Sequence, residues 1–370
     1  MLHWCFSESR TNPRLDASSQ MTVLVLPDRN PLHVAVWLFV VCALIYMVIA
    51  IGGYTRLTDS GLSIVAWDPI SGVIPPTSDT EWLREFEHYQ QYPEFKIVNQ
   101  DMQLDDFKRI YWVEYAHRLA ARLVALAFLL PFLYFLTRRY LSRALTLRLV
   151  LIFVLGGFQG LLGWYMVASG LVDNPAVSQY RLTAHLSLAV LLYSYVLWLG
   201  VGLASRRQPV DDPLVSYFRK TSILCIVFVA LMQISGGFMA GTHAGFVINT
   251  YPDMNGELIP QMMGSLQPWW RNLFENVVTI QFVHRWVAVA TVISVFLLWV
   301  GRLRTRQPQL CRMADMVLMA ALLQFGFGIS TLLSQVHLPI ALAHQSGFIL
   351  LLTVLVITLR LNWSPVSQRS

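Results

Sequence analysis

Charge is what this sequence lacks. Of 370 residues only 13% are Asp, Glu, Lys or Arg, against about 25% in soluble globular proteins, while 55% are hydrophobic and the mean hydropathy is +0.52. So few ionic groups do not coat a soluble protein of this length, which argues against a soluble enzyme, a disordered chain and a secreted disulfide scaffold. Cysteine is scarce as well. Cys5, Cys42, Cys225 and Cys311 lie far apart and form no CxxC, so free thiols and no disulfide are expected. No apolar run occupies the first 30 residues, so no secretory signal peptide is expected there. That leader, with Arg10, Arg14 and Arg29, is expected to be a flexible cytoplasmic tail.

What the sequence has is eight apolar stretches near the roughly 20 residues a spanning helix needs. They run near Leu32–Tyr54, Tyr111–Leu136, Leu147–Ser169, Leu182–Ala204, Thr221–Ala240, Asn276–Gly301, Met313–Ser334 and Pro339–Leu361. Basic residues cluster after the second span (Arg138, Arg139, Arg143, Arg148), the fourth (Arg206, Arg207, Arg219, Lys220) and the sixth (Arg302, Arg304, Arg306, Arg312). The positive-inside rule then puts these connections and both termini in the cytoplasm. The net charge of +6 is therefore a signal of topology, and no nucleic-acid partner is expected. Two long loops, 55–110 and 241–275, fall on the outer side. The amphipathic stretch Glu81–Gln91 is expected to be a helix lying over that face.

The two halves of the chain repeat each other. IGGYTRLTDSGLSI at the end of the first span matches SGGFMAGTHAGFVI at the end of the fifth, and VEYAHR matches IQFVHR. GGFQGLLG with Gln159 matches LLQFGFG with Gln324, and TAHLSLAVLL matches LAHQSGFILL. Four spans per half give both halves one orientation. The expected fold is an all-α membrane protein: eight transmembrane helices as two similar four-helix bundles related by a pseudo-two-fold axis along the membrane normal. The expected division is a leader (1–30), an N-terminal bundle (31–205), a cytoplasmic linker (206–220), a C-terminal bundle (221–362) and a cytoplasmic tail (363–370).

Four of nine histidines, His117, His185, His284 and His344, fall at repeat-equivalent places near the outer ends of even-numbered spans. A single membrane histidine is commonly a helix-to-helix hydrogen bond, but four at symmetric positions point to function. Zinc asks for three or four protein ligands and a di-iron bundle for several glutamates. HExxH is absent, and the one ExxH, Glu114 to His117, becomes Gln281 to His284 in the second half. Haem suits two facing imidazoles best, because the porphyrin supplies the equatorial nitrogens. Glu114 is the asymmetry. It shares a helix face with His117 and reads either as a proton-transfer group or as a carboxylate favoured by a helix N-terminus. Arg118 and Arg285 follow their histidines and read either as propionate ligands or as interfacial side chains. Arg122 is placed to pair with Glu114 or a propionate, and Arg56, Lys108 and Arg109 are weaker propionate candidates. His3, His33, His88 and His337 have no repeat partner and read as surface or boundary residues; His243 stays ambiguous.

These residues resemble the haem A synthase family. The matching stretches are GGYTRLTDSGLSIVAWDPISGVIPP, EWLREFEHYQQYPEF, FKRIYWVEYAHR, TAHLS, GGFMAGTHAGFVINTYPDMNG, FVHRW and ALAHQSG, spread over nearly the whole chain after residue 30. The resemblance implies oxidation of a ring methyl of haem O to a formyl group, giving haem A for terminal oxidase assembly. It implies a haem b cofactor held by His284 and His344 in the second half. Substrate haem O would lie between His117 and His185, with Glu114 as catalytic carboxylate. The first outer loop lacks the cysteine pair of one subset of the family, so the chain resembles the other subset, typical of proteobacterial and mitochondrial members. A bacterial inner membrane is the expected location, with the mitochondrial inner membrane as the alternative. Contact with haem O synthase, a redox partner that the sequence does not identify, and a homo-oligomer complete the expected partners. Two other readings stay open: a di-haem b electron-transfer cytochrome, which needs no one-sided carboxylate, and a haem transporter, which fits internal repeats.

Overall fold

The computed structural model describes residues 31–66, 71–172, 175–205 and 212–363. The expected leader, most of the tail and part of the linker lie outside them. Eight helices are long and apolar enough to cross a membrane. They are α1 (Pro31–Leu57), α3 (Leu104–Thr137), α4 (Arg143–Val167), α5 (Gln179–Ala204), α6 (Pro213–Gly241), α8 (Val277–Val300), α9 (Pro308–Leu333) and α10 (Leu338–Leu361). Two shorter helices belong to the long loops: α2 (Asp79–Tyr89) and α7 (Asn272–Glu275). No strand occurs among the described residues; one isolated bridge pairs Met254 with Glu257.

Several helices begin before their apolar run because capping groups set the start. Asp212 accepts from the Leu214 N–H with Pro213 at the first helical position, and Ser142 caps α4 through the Leu145 N–H. Asn276 caps α8 through the N–H groups of Val278 and Thr279. In the loop, Ser78 and Glu81 form a reciprocal capping box that starts α2. α2 is the amphipathic helix expected there. It lays Trp82, Phe86 and Tyr89 on Phe107 and Tyr111 of α3, a small core of its own above the first bundle.

Packing fits two rings of four. α1 packs on α3 and α5, and α4 on α5 and α3; α6 packs on α8 and α10, and α9 on α8 and α10. Where the halves meet, α5 packs on α6 and α10, and α1 on α10. One apolar core runs through both, with Leu38, Val41, Leu149, Phe218, Leu298, Ile349 and Leu355 essentially shielded. Polar links cross the same boundary. Gln345 donates to the Ile49 carbonyl at 2.8 Å, and the Tyr193 and Thr353 hydroxyls are 2.6 Å apart. Gly53 lies under Gln345 and Gly237 under Thr183, so close that a Cβ on either glycine would force its neighbour to shift.

Candidate functional site

Each half brings its two histidines together from helices that do not pack closely on each other. His117 on α3 faces His185 on α5 with α1 and α4 between them, and His284 on α8 faces His344 on α10 with α6 and α9 between them. Within each pair the two rings lie within range of each other's charge. All four side chains are half-buried.

The flanking helices offer glycine wherever a ring comes near. A Cβ placed on Gly52 of α1 would lie 2.9 Å from His117 Nε2, and one on Gly163 of α4 2.9 Å from His185 Cε1. In the second half, Gly236 of α6 would come 3.4 Å from His284 Cε1 and Gly328 of α9 3.0 Å from His344 Cε1. Gly52 and Gly236 are repeat equivalents, as are Gly163 and Gly328, each four residues after its glutamine. The same small-residue solution thus serves all four rings. The sequence motifs contained these glycines, but their partners lie on other helices.

A second set of contacts repeats as well. Gln159 donates its amide N–H to the His185 carbonyl at 3.0 Å, and Gln324 to the His344 carbonyl at 2.9 Å. The Oε1 atoms of both glutamines are buried without a partner, and so is His185 Nδ1. On the opposite helix of the second half, Ser235 Oγ lies 2.8 Å from His284 Nδ1. No hydrogen bond to the His117 ring occurs among the described residues.

Glu114 is 2% exposed and fully engaged. Its Oε2 accepts from the Ser63 hydroxyl at 2.7 Å and the Ile64 N–H at 2.8 Å; its Oε1 accepts from Arg118 Nε at 3.0 Å and Nη2 at 2.7 Å. In the second half Gln281, 1% exposed, donates to the carbonyls of Ala244 and Ile248 instead. Both residues therefore tie the start of a long loop to a histidine helix, one as acceptor and the other as donor. The arginines do likewise. Arg118 donates to the carbonyls of Ala66 and Ile64, and Arg285 to those of Thr250, Asp253 and Ile248. Both guanidinium groups are thus held by loop carbonyls.

Arg56 pairs with Asp59 at 2.9 Å and reaches across the halves to the Ala240 carbonyl and to His243 Nε2 at 2.7 Å. Asp59 and His243 are repeat equivalents, and both adopt the left-handed conformation, with φ of 46° and 54°. Burial and the neighbouring Arg56 charge hold the His243 imidazole below its usual range, against Asp59. Lys108 and Arg109 lie along the first turns of α3 beside Asp105 and Asp106, away from either pair. His33 and His337 are exposed and His88 sits on α2, as surface or boundary residues do. Above the first bundle, Glu94 is buried with the Tyr89 hydroxyl donating to it at 3.0 Å, and burial pushes its carboxyl up to about 7.

No group of three or more His, Cys, Asp or Glu side chains capable of holding a metal occurs among the described residues. The donor sets are pairs. Two facing imidazoles with glycines beside them, and polar atoms left over for further hydrogen bonds, fit a flat tetrapyrrole that needs only axial ligands.

The chain matches known proteins over most of its length. Residues 35–356 match the family model COX15-CtaA, described as cytochrome oxidase assembly protein. A relative from Nitrosomonas eutropha, named "Heme A synthase", is 46% identical over 328 residues, covering 88% of this chain and 92% of its own. Proteins of the same name from Nitrosospira multiformis and Granulibacter bethesdensis are 47% and 45% identical, with 86% and 90% of this chain covered and 90% and 88% of theirs.

Proposed function

The chain belongs to the cytochrome oxidase assembly family, and from that premise we propose that it is a haem A synthase, an oxidoreductase converting haem O to haem A in a bacterial membrane that it crosses eight times. The observation that carries the reading is the pairing of four histidines across two bundle diagonals, each ring against a repeat-equivalent glycine.

The finer assignment divides the halves. His284 and His344 hold a haem b cofactor, and His117 and His185 receive the substrate haem. When bound, the cofactor supplies one-electron iron chemistry. The protein supplies position and proton handling. His117 and His185 would hold the substrate haem between α3 and α5. Glu114, one helical turn before His117 on the same face, has no counterpart in the second half. Turning a methyl into a formyl group replaces two hydrogens by one oxygen; drawn with water as the oxygen source, it releases four electrons to the redox partner and four protons, and Glu114 is the group in this half suited to pass those protons on. It does so from within the Ser63, Ile64 and Arg118 contacts, which hold its orientation. The bacterial inner membrane with both termini cytoplasmic, and contacts with haem O synthase and a redox partner, belong to the same proposal.

Glu114→Gln tests it. Glutamine keeps the volume of the side chain, but its amide N–H2 must face either Arg118 or the Ser63 and Ile64 donors, so the yield of folded protein is measured alongside. The expected result is a drop in haem A output of about 100-fold, in the usual range for a lost acid–base group, with haem b still present in the pigment extracted from the purified protein. Wild-type haem A output would overturn the role of Glu114. Two equivalents of haem b with neither haem O nor haem A would favour the electron-transfer cytochrome.

A further inference from the structure

His117 and His284 occupy equivalent places, yet only one has a fixed ring. Ser235 immediately precedes Gly236, the glycine beside His284. Its Oγ lies 3.1 Å from the Met232 carbonyl and 2.8 Å from His284 Nδ1. With the hydroxyl hydrogen on the Met232 carbonyl, Oγ is free to accept from Nδ1–H. That arrangement leaves Nε2 unprotonated, with its lone pair available to a metal. The repeat equivalent of Ser235 is Ile51, which offers no acceptor. The His117 ring has no hydrogen bond among the described residues, and it turns Nε2 toward its glycine, where the other three rings turn Cε1.

We propose that this Ser235/Ile51 difference sets how firmly each half holds a tetrapyrrole. Ser235 is a positioning residue that locks His284 as a permanent iron ligand. His117, without such a partner, is the exchangeable ligand, as a substrate that must leave requires. The proposal rests on the haem A synthase reading above, and it concerns retention where that reading concerns reaction. An acceptor on Nδ1–H raises the basicity of the ligand, and loss of such a partner typically costs about 10–100-fold in metal affinity.

The test uses full-length protein purified with its pigments, compared as wild type, Ser235→Ala, Ser235→Thr and Ile51→Ser. Haem transfer to apomyoglobin is followed by chromatography, which separates haem b of one half from haem O and haem A of the other, and the haem b midpoint potential is measured alongside. Ser235→Ala is expected to release haem b about tenfold faster and to move its potential in the positive direction, with Ser235→Thr returning both toward wild type. Ile51→Ser is expected to slow release of haem O and haem A while leaving haem b unchanged. A wild-type potential and release rate in Ser235→Ala would overturn the proposal. If that variant fails to fold, Ile51→Ser decides alone, and unaltered release from it overturns the proposal. A wild-type protein without haem sinks the parent reading too, whereas haem-loaded variants with unaltered release sink only this one.

Discussion

Four glycines give the histidine rings their space, and the size of that space differs by position. An added methyl on Gly52, Gly163 or Gly328 would come within 2.9, 2.9 and 3.0 Å of an imidazole atom, inside ordinary contact, whereas on Gly236 it would come to 3.4 Å. A free ring swings away at little cost, because it ends a rotatable side chain; a ring held on a metal does not. Gly52→Ala, Gly163→Ala and Gly328→Ala are therefore expected to fold at wild-type yield but to lose haem from their own half, at least several-fold, while Gly236→Ala stays close to wild type. Pigment stoichiometry after purification reads this directly, and equal loss in all four variants would contradict it. The histidines and Glu114 were legible in the sequence because the repeat aligned them. The glycines were less so: Gly163 and Gly328 sit inside repeated motifs, but nothing in a linear pattern says which ring on another helix they face. The arginines show a further limit. No linear pattern shows that Arg118 and Arg285 bond to loop carbonyls, which only three-dimensional placement brings to them.

Helices explain side chains that residue reasoning leaves unassigned. Pro131 lies inside α3 and has no N–H to offer the carbonyl four residues earlier, that of Ala127. The indole Nε1–H of Trp37 on α1 takes its place at 2.9 Å, with the ring packed against Phe128 and Phe135. In hydrocarbon, where no water competes, an abandoned carbonyl is costly. Trp37→Phe keeps most of the packing and removes the donor, so it should destabilise the protein by about 1–2 kcal/mol. Adding Pro131→Ala to that variant restores a backbone donor and should recover part of the loss. Unfolding midpoints of the two single variants and the double variant check the coupling, and strictly additive losses would refute it. The eight spans were legible because apolar length alone defines them, but their starts were not. α3 begins at Leu104, two turns before its apolar run, with Asp105 and Asp106 in the favourable first turn. α6 and α9 likewise begin at Pro213 and Pro308, residues placed at the first helical position. Hydropathy reports the slab a helix crosses, whereas caps and prolines decide where it starts.

At the scale of the whole molecule the repeat is also a constraint on folding. Each half presents its pair of histidines inside its own ring of helices, but neither half closes its own core. α1, α5, α6 and α10 meet in the centre, and their buried residues Leu38, Val196, Val229 and Leu355 belong to one cluster. Specificity at that boundary comes from directional contacts: Gln345 on Ile49, Tyr193 on Thr353, Ser187 on Gln233 at 3.0 Å, and glycines at positions 53 and 237 that admit Gln345 and Thr183. Such a boundary should assemble without a covalent link, since helices already inserted in a bilayer associate through packing and polar contacts. Co-expression of residues 1–205 and 212–370 as two chains is therefore expected to give a complex in which a tag on one half retrieves the other, with the pigment ratio of the intact protein. Gly53→Leu and Gly237→Leu together should abolish retrieval by forcing α1 from Gln345 and α6 from Thr183. Retrieval unaffected by both bulky side chains would mean that lipid-like apolar contact alone joins the halves, and that the directional contacts at the centre are incidental.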